Sequence, residues 1–192
     1  VNRIGFPFGL AVSILLAQPD PYQAFLAYMN EPGGKIMEIK FSQEQYGERY
    51  ESSGTFFYFG EKQYMFDAAE QRISYDNGII TTVNKIQKQV IHDQAVPGEV
   101  TIFDILTGEG ESIKMGEPII EKGMFRMPFT LLEWEMKGVI RVVPVTGEPR
   151  EVILSSGEDD EIRIRVSSSE PSNGKSVTEI DLDTFEIIDL RE

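Results

Sequence analysis

The sequence predicts an α+β protein that is mainly β, built on a curved antiparallel sheet with a large apolar face. Between Lys40 and Asp93, short apolar runs are repeatedly closed by turn signals, as in successive antiparallel strands. One strong helix candidate precedes these runs. The chain also holds 12 Phe, 7 Met and 7 Tyr, which supply large and adaptable apolar side chains. These observations favour a binding protein over an enzyme.

The charge and the cysteine content exclude several classes of function. The 192 residues carry a formal net charge of -14, which repels nucleic-acid backbones and anionic lipid surfaces. The same acidity is compatible with steering toward a basic partner. The chain has no cysteine, which excludes disulfides, thiol catalysis and thiolate zinc sites.

The first residues have the three-part layout of a secretory signal. Arg3 gives a short positive start, residues 4–16 are mostly apolar, and the run is too short to span a membrane. A buried N-terminal helix is the alternative, but Pro7 argues against a regular helix there. We therefore predict a signal peptide over residues 1–17 and a single domain over residues 18–192.

Residues 21–30 form the best helix candidate. Asp20 can cap this helix, and Pro21 occupies its first position. The apolar residues recur at i, i+3, i+4 and i+7 and make one stripe: Tyr22, Phe25, Leu26 and Met29. A helix this short needs a sheet to cover.

From Lys35 onward strand patterns dominate, and Asn77-Gly78 predicts a tight hairpin. The predicted strands are 36–41, 55–59, 63–67, 72–75, 79–83, 89–92, 124–131, 133–136, 138–143, 151–154, 161–166 and 176–182. Residues 101–106 fit either a short helix or a strand. Residues 107–122 are predicted to be a loop, and residues 167–174 a polar connection.

No pattern supports catalysis or a metal site. The chain has one histidine, His92, and lacks the nucleophile elbow, phosphate-binding and dinucleotide-binding motifs. The acidic run 158–161 lacks the spaced oxygen ligands of a calcium loop, so we interpret it as a hairpin turn. Glu133 and Glu135 flank Trp134 on a predicted strand and read as outward polar residues rather than a glycosidase pair. We expect no enzyme activity, no metal and no cofactor.

Several short motifs stand in a recognisable order along the chain. They are Phe41-x-Gln43, Ser53-Gly54-Thr55-Phe56, Gly60-Glu61-Lys62-Gln63-Tyr64, Asp76-Asn77-Gly78, Gln89-Val90 and, near the end, Asp181-Leu182-Asp183-Thr184-Phe185. This order resembles the periplasmic outer-membrane lipoprotein carrier family, LolA. The resemblance implies an unclosed antiparallel β-barrel, or half-barrel, with helices covering its concave apolar face. Many members latch the helical lid with an Arg-Pro pair, whereas Phe59-Gly60 stands here, so the latch is absent or built differently.

The resemblance also implies a function and partners. It implies a periplasmic, monomeric carrier that holds the acyl chains of lipoproteins in an apolar cavity between the sheet and the helices and shuttles them from the inner to the outer membrane. Its partners would be acylated lipoproteins, an inner-membrane donor complex and an outer-membrane acceptor, with no nucleic acid. One alternative is a lipid- or protein-sensing regulatory domain on the same fold. Another is a secreted β-sandwich with a filled core and an unrelated enzymatic or adhesive role.

The lipid-binding residues expected from this resemblance form two groups. The sheet would contribute Phe57, Phe59, Tyr64, Phe66, Ile73, Tyr75 and Trp134. The helical lid would contribute Phe25, Leu26 and Met29. The sequence leaves open which strand face points inward, because a shift of one residue exchanges the two faces of a strand.

Overall fold

The structure is a computed structural model that describes residues 20–60, 62–96, 98, 100–108, 113–157, 160–175 and 177–191. The predicted signal peptide lies outside the described residues, as do Glu158 and Asp159 of the acidic run.

Thirteen strands within the described residues form one open sheet in the order β13-β6-β5-β4-β3-β2-β1-β12-β11-β10-β9-β7, and β8 also pairs with β9. The strands are β1 Lys35–Gln45, β2 Glu48–Gly60, β3 Gln63–Ala68, β4 Gln71–Asp76, β5 Ile79–Asn84, β6 Gln89–Gln94, β7 Ile113–Met115, β8 Ile119–Glu121, β9 Met124–Leu131, β10 Met136–Val142, β11 Pro149–Ser155, β12 Glu161–Pro171 and β13 Glu186–Asp189. Neighbours pair antiparallel, except that β13 runs parallel to β6. This open, mainly β architecture confirms the predicted fold class.

The sheet has an inner face and an outer face of opposite character. On β1, Met37 and Ile39 are buried in the core, whereas Glu38 and Lys40 point to the other side. Because side chains alternate along a strand, the same division continues across the sheet. We call the face that carries Met37 and Ile39 the inner face, and the opposite face the outer face.

Helices α1 and α2 pack on the inner face. Helix α1, Pro21–Met29, begins where the sequence predicts, with the Asp20 carboxylate accepting from the backbone N–H of Tyr22 at 3.0 Å. Helix α2 comprises Ile102–Thr107, so the segment that the sequence left open as a short helix or a strand is a helix. Its first turn is closed by a capping box in which Thr101 and Asp104 bond each other's backbone N–H groups, at 2.7 and 3.2 Å.

The second half of the chain departs from the predictions in three places. The predicted loop 107–122 contains β7 and β8, which are only three residues long and depend on pairing with β9. The predicted strand 133–136 is wrong, because Leu132–Trp134 forms a 3-10 helix that ends at Glu135 with φ 51°. Part of the predicted connection 167–174 instead extends β12 to Pro171, where the polar strand pairs with the start of β1.

The predicted strand 176–182 is also wrong: residues 177–182 have no strand structure. The final strand is β13, which lies four residues later and pairs with β6. A parallel partner distant in sequence leaves no turn signal beside it, so local patterns did not place this strand.

Candidate functional site

The inner face of the sheet is the candidate site, and aromatic side chains of β1, β2 and β3 form its centre. Phe56 and Phe66 lie directly opposite each other on β2 and β3 and are almost completely buried. Tyr58 and Tyr64 form the next such pair. On the other half of the sheet, β9 to β12 contribute aliphatic side chains and Met127 to the same core.

Helix α2 closes this centre through Phe103. Its ring centroid lies 5.3 Å from that of Phe56, and 5.7 Å from those of both Tyr64 and Phe66. It also stacks on Phe41 of β1, at 6.3 Å. Aromatic pairs at these distances attract one another beyond the burial of their area. The ring of Phe103 therefore plugs the aromatic centre of the inner face.

Tyr64 ties the sheet to the beginning of α2. Its hydroxyl lies 3.2 Å from the hydroxyl of Thr101, the residue that caps α2. Burial raises the pKa of the Tyr64 phenol, and the nearby Asp104 carboxylate raises it further, so the phenol stays neutral. On the other side its ring stacks on Tyr75 of β4 at 5.1 Å.

Helix α1 covers the other part of the inner face and touches α2. Phe25 and Met29 are fully buried. A Cβ at Gly108, which ends α2, would lie 2.5 Å from Leu26, so the two helices meet there. The α1 backbone also lies directly against the β10–β11 turn, since a Cβ at Gly147 would come within 2.2 Å of the carbonyl oxygen of Ala24.

A buried lysine fastens the C-terminal end of α1. Lys35 is only 1% exposed, its ammonium group lies 4.2 Å from the centroid of the Tyr28 ring, and it pairs with Glu31. Tyr28 in turn donates a hydrogen bond to Ser169 of β12 at 2.8 Å. These contacts hold α1 to the sheet without an arginine at Phe59-Gly60.

The structure brings together most of the residues expected at this site. Phe25, Met29, Tyr64 and Phe66 belong to the buried core, while Leu26 and Tyr75 are half-buried against it. Ile73 is also half-buried and lies opposite Phe66, on the same face.

Three of the expected residues lie elsewhere. Phe57 and Phe59 stack on each other at 6.2 Å on the outer face, because Phe56 and Tyr58 take the inner positions of β2. Trp134 lies in the 3-10 helix, is 46% exposed, and donates from its indole nitrogen to the Gly98 carbonyl at 3.4 Å. The predicted inner positions of these three residues are therefore wrong.

Phe103 is the important residue that sequence reasoning missed. The signal was present, because Thr101 and Asp104 have capping-box spacing and four of the next five positions after Thr101 are apolar. Recognising that box would have made 101–106 a helix with a buried apolar face.

The structure differs from the expected open apolar cavity, because side chains occupy the centre of the space between the sheet and the helices. Phe25, Phe56, Phe66, Ile105 and Leu106 are each at most 1% exposed. Within the described residues, cavities of about 690 and 460 Å³ lie on the outer face, and one of about 640 Å³ lies at the β1–β2 hairpin on the inner side. A ligand can therefore reach the buried aromatic centre only if α1 or α2 moves.

Among the residues that the structure describes, no three histidine or acidic side chains are grouped to hold a metal ion. In the same part of the chain, no helix has the length and apolar character needed to cross a membrane.

No protein-family model and no curated protein matches the sequence. The fold is similar to that of an uncharacterized conserved protein from Thermus thermophilus, with a TM-score of 0.55, 5% identity, and coverage of 88% of this chain and 96% of that one. A DUF1329 family protein from Desulfovibrio piger gives a TM-score of 0.45 at 10% identity, covering 81% and 93% of the two chains. A LolA superfamily protein from Nitrosomonas europaea gives 0.40 at 9% identity, covering 85% and 96%. At these identities the similarity concerns the fold alone. The predicted architecture is confirmed: it is an open, mainly β sheet whose inner face lies under α1 and α2.

Proposed function

We propose that the protein is a periplasmic carrier that binds the acyl chains of lipoproteins between the inner face and its covering helices. The proposal includes export by residues 1–17, action of residues 18–192 as one monomeric domain, and transfer from an inner-membrane donor to an outer-membrane acceptor. The observation that carries it is the plug formed by Phe103. The apolar centre of an open sheet is closed there by a six-residue helix rather than by a second sheet.

The plug is of a kind that an acyl chain can replace. A six-residue helix has no stability of its own in water, so the position of α2 depends on its packing. Burying one methylene group contributes about 0.8 kcal/mol, so a chain of ~14 carbons contributes on the order of 11 kcal/mol. A bound acyl chain would thus supply apolar contacts in place of Ile102, Phe103, Ile105 and Leu106.

The same plug explains how a ligand could leave. When the acyl chain departs, the side chains of α2 return to the aromatic centre and no empty cavity remains. The net binding energy is the difference between the two sets of contacts, so the affinity is far lower than the gross burial suggests. Release to a tighter-binding acceptor then requires no nucleotide.

Half-buried Ile73 and Tyr75 on β4 offer a first contact for the ligand. They continue the inner face beside Tyr64 and Phe66, but are less covered than those two residues. An acyl chain could dock on this part of the face before α2 moves.

A binding assay with a synthetic triacylated lipopeptide tests the proposal. The purified protein is mixed with the lipopeptide in detergent, the detergent is removed, and water-soluble complexes are isolated by gel filtration and weighed by native mass spectrometry. We expect a one-to-one complex, with a change in the fluorescence of Trp134, because its indole contacts Gly98 just before α2. Absence of any complex would contradict the proposal, and retention of free lipid without lipopeptide would favour the sensing alternative.

Two variants make the assay specific for the inner face. Ile73→Glu places a charge on the inner face, whereas Met65→Glu places one on the outer face of the neighbouring strand. Both residues are half-buried, and Met65 pairs with Phe57. We expect Ile73→Glu to abolish complex formation and Met65→Glu to retain it. Equal loss in both variants would locate binding elsewhere.

A further inference from the structure

The outer face carries a cavity of about 690 Å³ whose lining is unusual for this chain. Of the 18 Lys and Arg residues in the chain, five line the cavity: Lys40, Lys122, Arg141, Arg150 and Arg165. Three carboxylates, those of Glu38, Glu121 and Glu151, oppose them. A protein with a formal net charge of -14 thus concentrates cations around one cavity.

The cations are aligned by the register of the sheet. A row of residues directly opposite one another runs across five strands, from Lys40 through Arg165, Glu151 and Arg141 to Arg126. Lys40 faces Arg165, and Arg141 faces Arg126, so like charges meet at two places in this row. Like charges directly opposite on neighbouring strands destabilise a sheet. Glu51 already pairs with Lys40, and Glu121 lies against Arg126 and Arg141, so these carboxylates lessen the repulsion; a bound anion would lessen it further.

Glu151 braces the row. Its Oε1 atom accepts from Arg163 at 2.8 Å and from Arg165 at 3.0 Å, while Oε2 accepts from Arg141. Burial alone would raise the pKa of this carboxyl, but hydrogen bonds from Arg163 and Arg165 outweigh that effect and lower the pKa. The ionised carboxylate therefore fixes three guanidinium groups around itself, and both of its oxygen atoms accept hydrogen bonds.

Among the described residues, Arg165 and Lys122 keep donors without an acceptor at the cavity, whereas Arg141 is already shared between Glu151 and Glu121. The hydrogen bonds described for Arg165 use only its Nε atom, and its side chain is 54% exposed. Lys122 lies in the β8–β9 turn and forms no ion pair with any residue that the structure describes. Arg141 reaches Glu121 only at 3.4 Å.

We propose that this cavity binds the phosphate group of an organic phosphate, held by Arg165, Arg141 and Lys122. The terminal nitrogens of a guanidinium match two phosphate oxygens, and a phosphate adds a second anion to a row in which cations outnumber carboxylates. The cavity is within the size range of small-molecule sites and exceeds what phosphate alone fills, so it admits an attached organic group. This proposal is independent of the carrier function, because the cavity lies on the opposite face of the sheet.

Titration with glycerol 3-phosphate, followed by two-dimensional amide NMR, tests the site. Glycerol is the matched ligand without the phosphate. We expect saturable shifts on β1, β11 and β12 with glycerol 3-phosphate and no shifts with glycerol. Replacement Arg165→Gln should weaken binding about tenfold or more, because it removes charge-assisted hydrogen bonds. Arg191→Gln makes the same charge change on an exposed residue beside β13, at the far edge of the sheet, and should leave the affinity unchanged.

Failure to saturate, or equal weakening by Arg165→Gln and Arg191→Gln, would overturn the proposal. A second experiment with lipid vesicles distinguishes a free organic phosphate from the phosphate of a lipid headgroup. We expect no cosedimentation with vesicles of phosphatidylcholine and phosphatidylglycerol, because the acidic chain is repelled by anionic surfaces, and this result assigns the site to free organic phosphates. Cosedimentation that is lost in Arg165→Gln and kept in Arg191→Gln would assign the same site to a lipid headgroup.

Discussion

Phe103 is the residue through which α2 contacts aromatic side chains on three strands of the inner face. Replacing Phe103 with alanine should lower the free energy of unfolding by about 3 kcal/mol, the usual scale for deleting a buried aromatic ring. Urea unfolding measures this loss. The matched control is Phe59→Ala, because Phe59 lies on the outer face and is 44% exposed. We expect it to change the free energy by less than about 1 kcal/mol.

The same variant separates a carrier from a filled sandwich. If α2 is a plug that the ligand displaces, Phe103→Ala lowers the energy of opening and should increase the affinity for acyl chains. A protein with an ordinary core would only lose stability. Unchanged or weaker acyl binding by a folded Phe103→Ala protein would contradict the displacement mechanism.

Glu151 gives the stability a dependence on pH. Its carboxyl has a pKa below the ordinary value of 4.5 in the folded protein, because hydrogen bonds from Arg163 and Arg165 outweigh burial. As the pH falls, the Glu151 carboxyl is therefore protonated at a higher pH in the unfolded chain than in the folded protein. The stabilisation is fully present above about pH 5 and is lost as the pH falls below about 4.5, toward the folded pKa. Urea unfolding should show a large deficit of Glu151→Gln at pH 7 and a smaller one at pH 3. Exposed Glu133 provides the control, as Glu133→Gln should cause little loss at either pH.

Single residues also show where the sequence stops being informative. Phe56-Phe57-Tyr58-Phe59 is a run of four aromatic residues, so both faces of β2 are apolar there. Alternation therefore does not show which of these side chains point to the inner face. Pairing with the neighbouring strands decides which side chains point inward, since Phe56 lies between Met37 of β1 and Phe66 of β3. In contrast, Tyr64 and Phe66 alternate with Gln63, Met65 and Asp67, so only one face of β3 is aromatic, and both rings lie on the inner face as predicted.

At the scale of elements, the position of α1 depends on a close backbone contact with the β10–β11 turn. Gly147→Ala would place a Cβ 2.2 Å from the Ala24 carbonyl oxygen, so α1 must shift. We expect the free energy of unfolding to fall by more than about 1 kcal/mol, and hydrogen exchange of the α1 amides to accelerate. Gly123→Ala is a matched control with a similar φ, +77° against +74°, but with no heavy atom of the described residues within 4 Å of its Cβ. Equal acceleration in both variants would mean that backbone strain alone, rather than the contact with α1, is responsible.

Helices and strands with their own caps, turns or apolar patterns could be predicted from the sequence. Strands that form only by pairing with a distant strand could not. Helix α1 has its own cap and apolar stripe, and the β4–β5 hairpin has Asn77-Gly78, both at positive φ. Strands β7 and β8 are three residues long and exist as strands only because β9 pairs with both. A pattern that short cannot be distinguished from a loop.

At the scale of the whole molecule, the pairing of β1 with β12 joins the two halves of the chain into one sheet. It aligns ten residues, from Lys35 opposite Pro171 to Glu44 opposite Glu161. The hairpin order from β1 to β6 follows from short turns and was implied by the sequence. The β1–β12 contact spans more than a hundred residues, and no local signal encodes it. It decides which side chains of the two halves share the inner face, and therefore the composition of the candidate site.

The open sheet and its plug predict how affinity depends on acyl-chain length. Displacing α2 has a fixed energy, because the same side chains leave the inner face whatever the length of the ligand. Each further methylene then adds about 0.8 kcal/mol of burial, so the dissociation constant should fall about fourfold per methylene. The fall should end abruptly once the chain reaches the limit of the face. Displacement of a hydrophobic dye by fatty acids of ~8 to ~16 carbons measures the series.

The variant Ile73→Glu should flatten this series, whereas Met65→Glu should leave its slope unchanged, since only Ile73 lies on the inner face. An affinity that is independent of chain length in the unmodified protein would mean that the ligand meets only the surface of the molecule. The inner face would then be a permanent core, and Phe103 a part of it rather than a displaceable plug. A steep dependence on chain length that is lost in Ile73→Glu would contradict a permanent core, because a permanent core does not distinguish ~10 carbons from ~12.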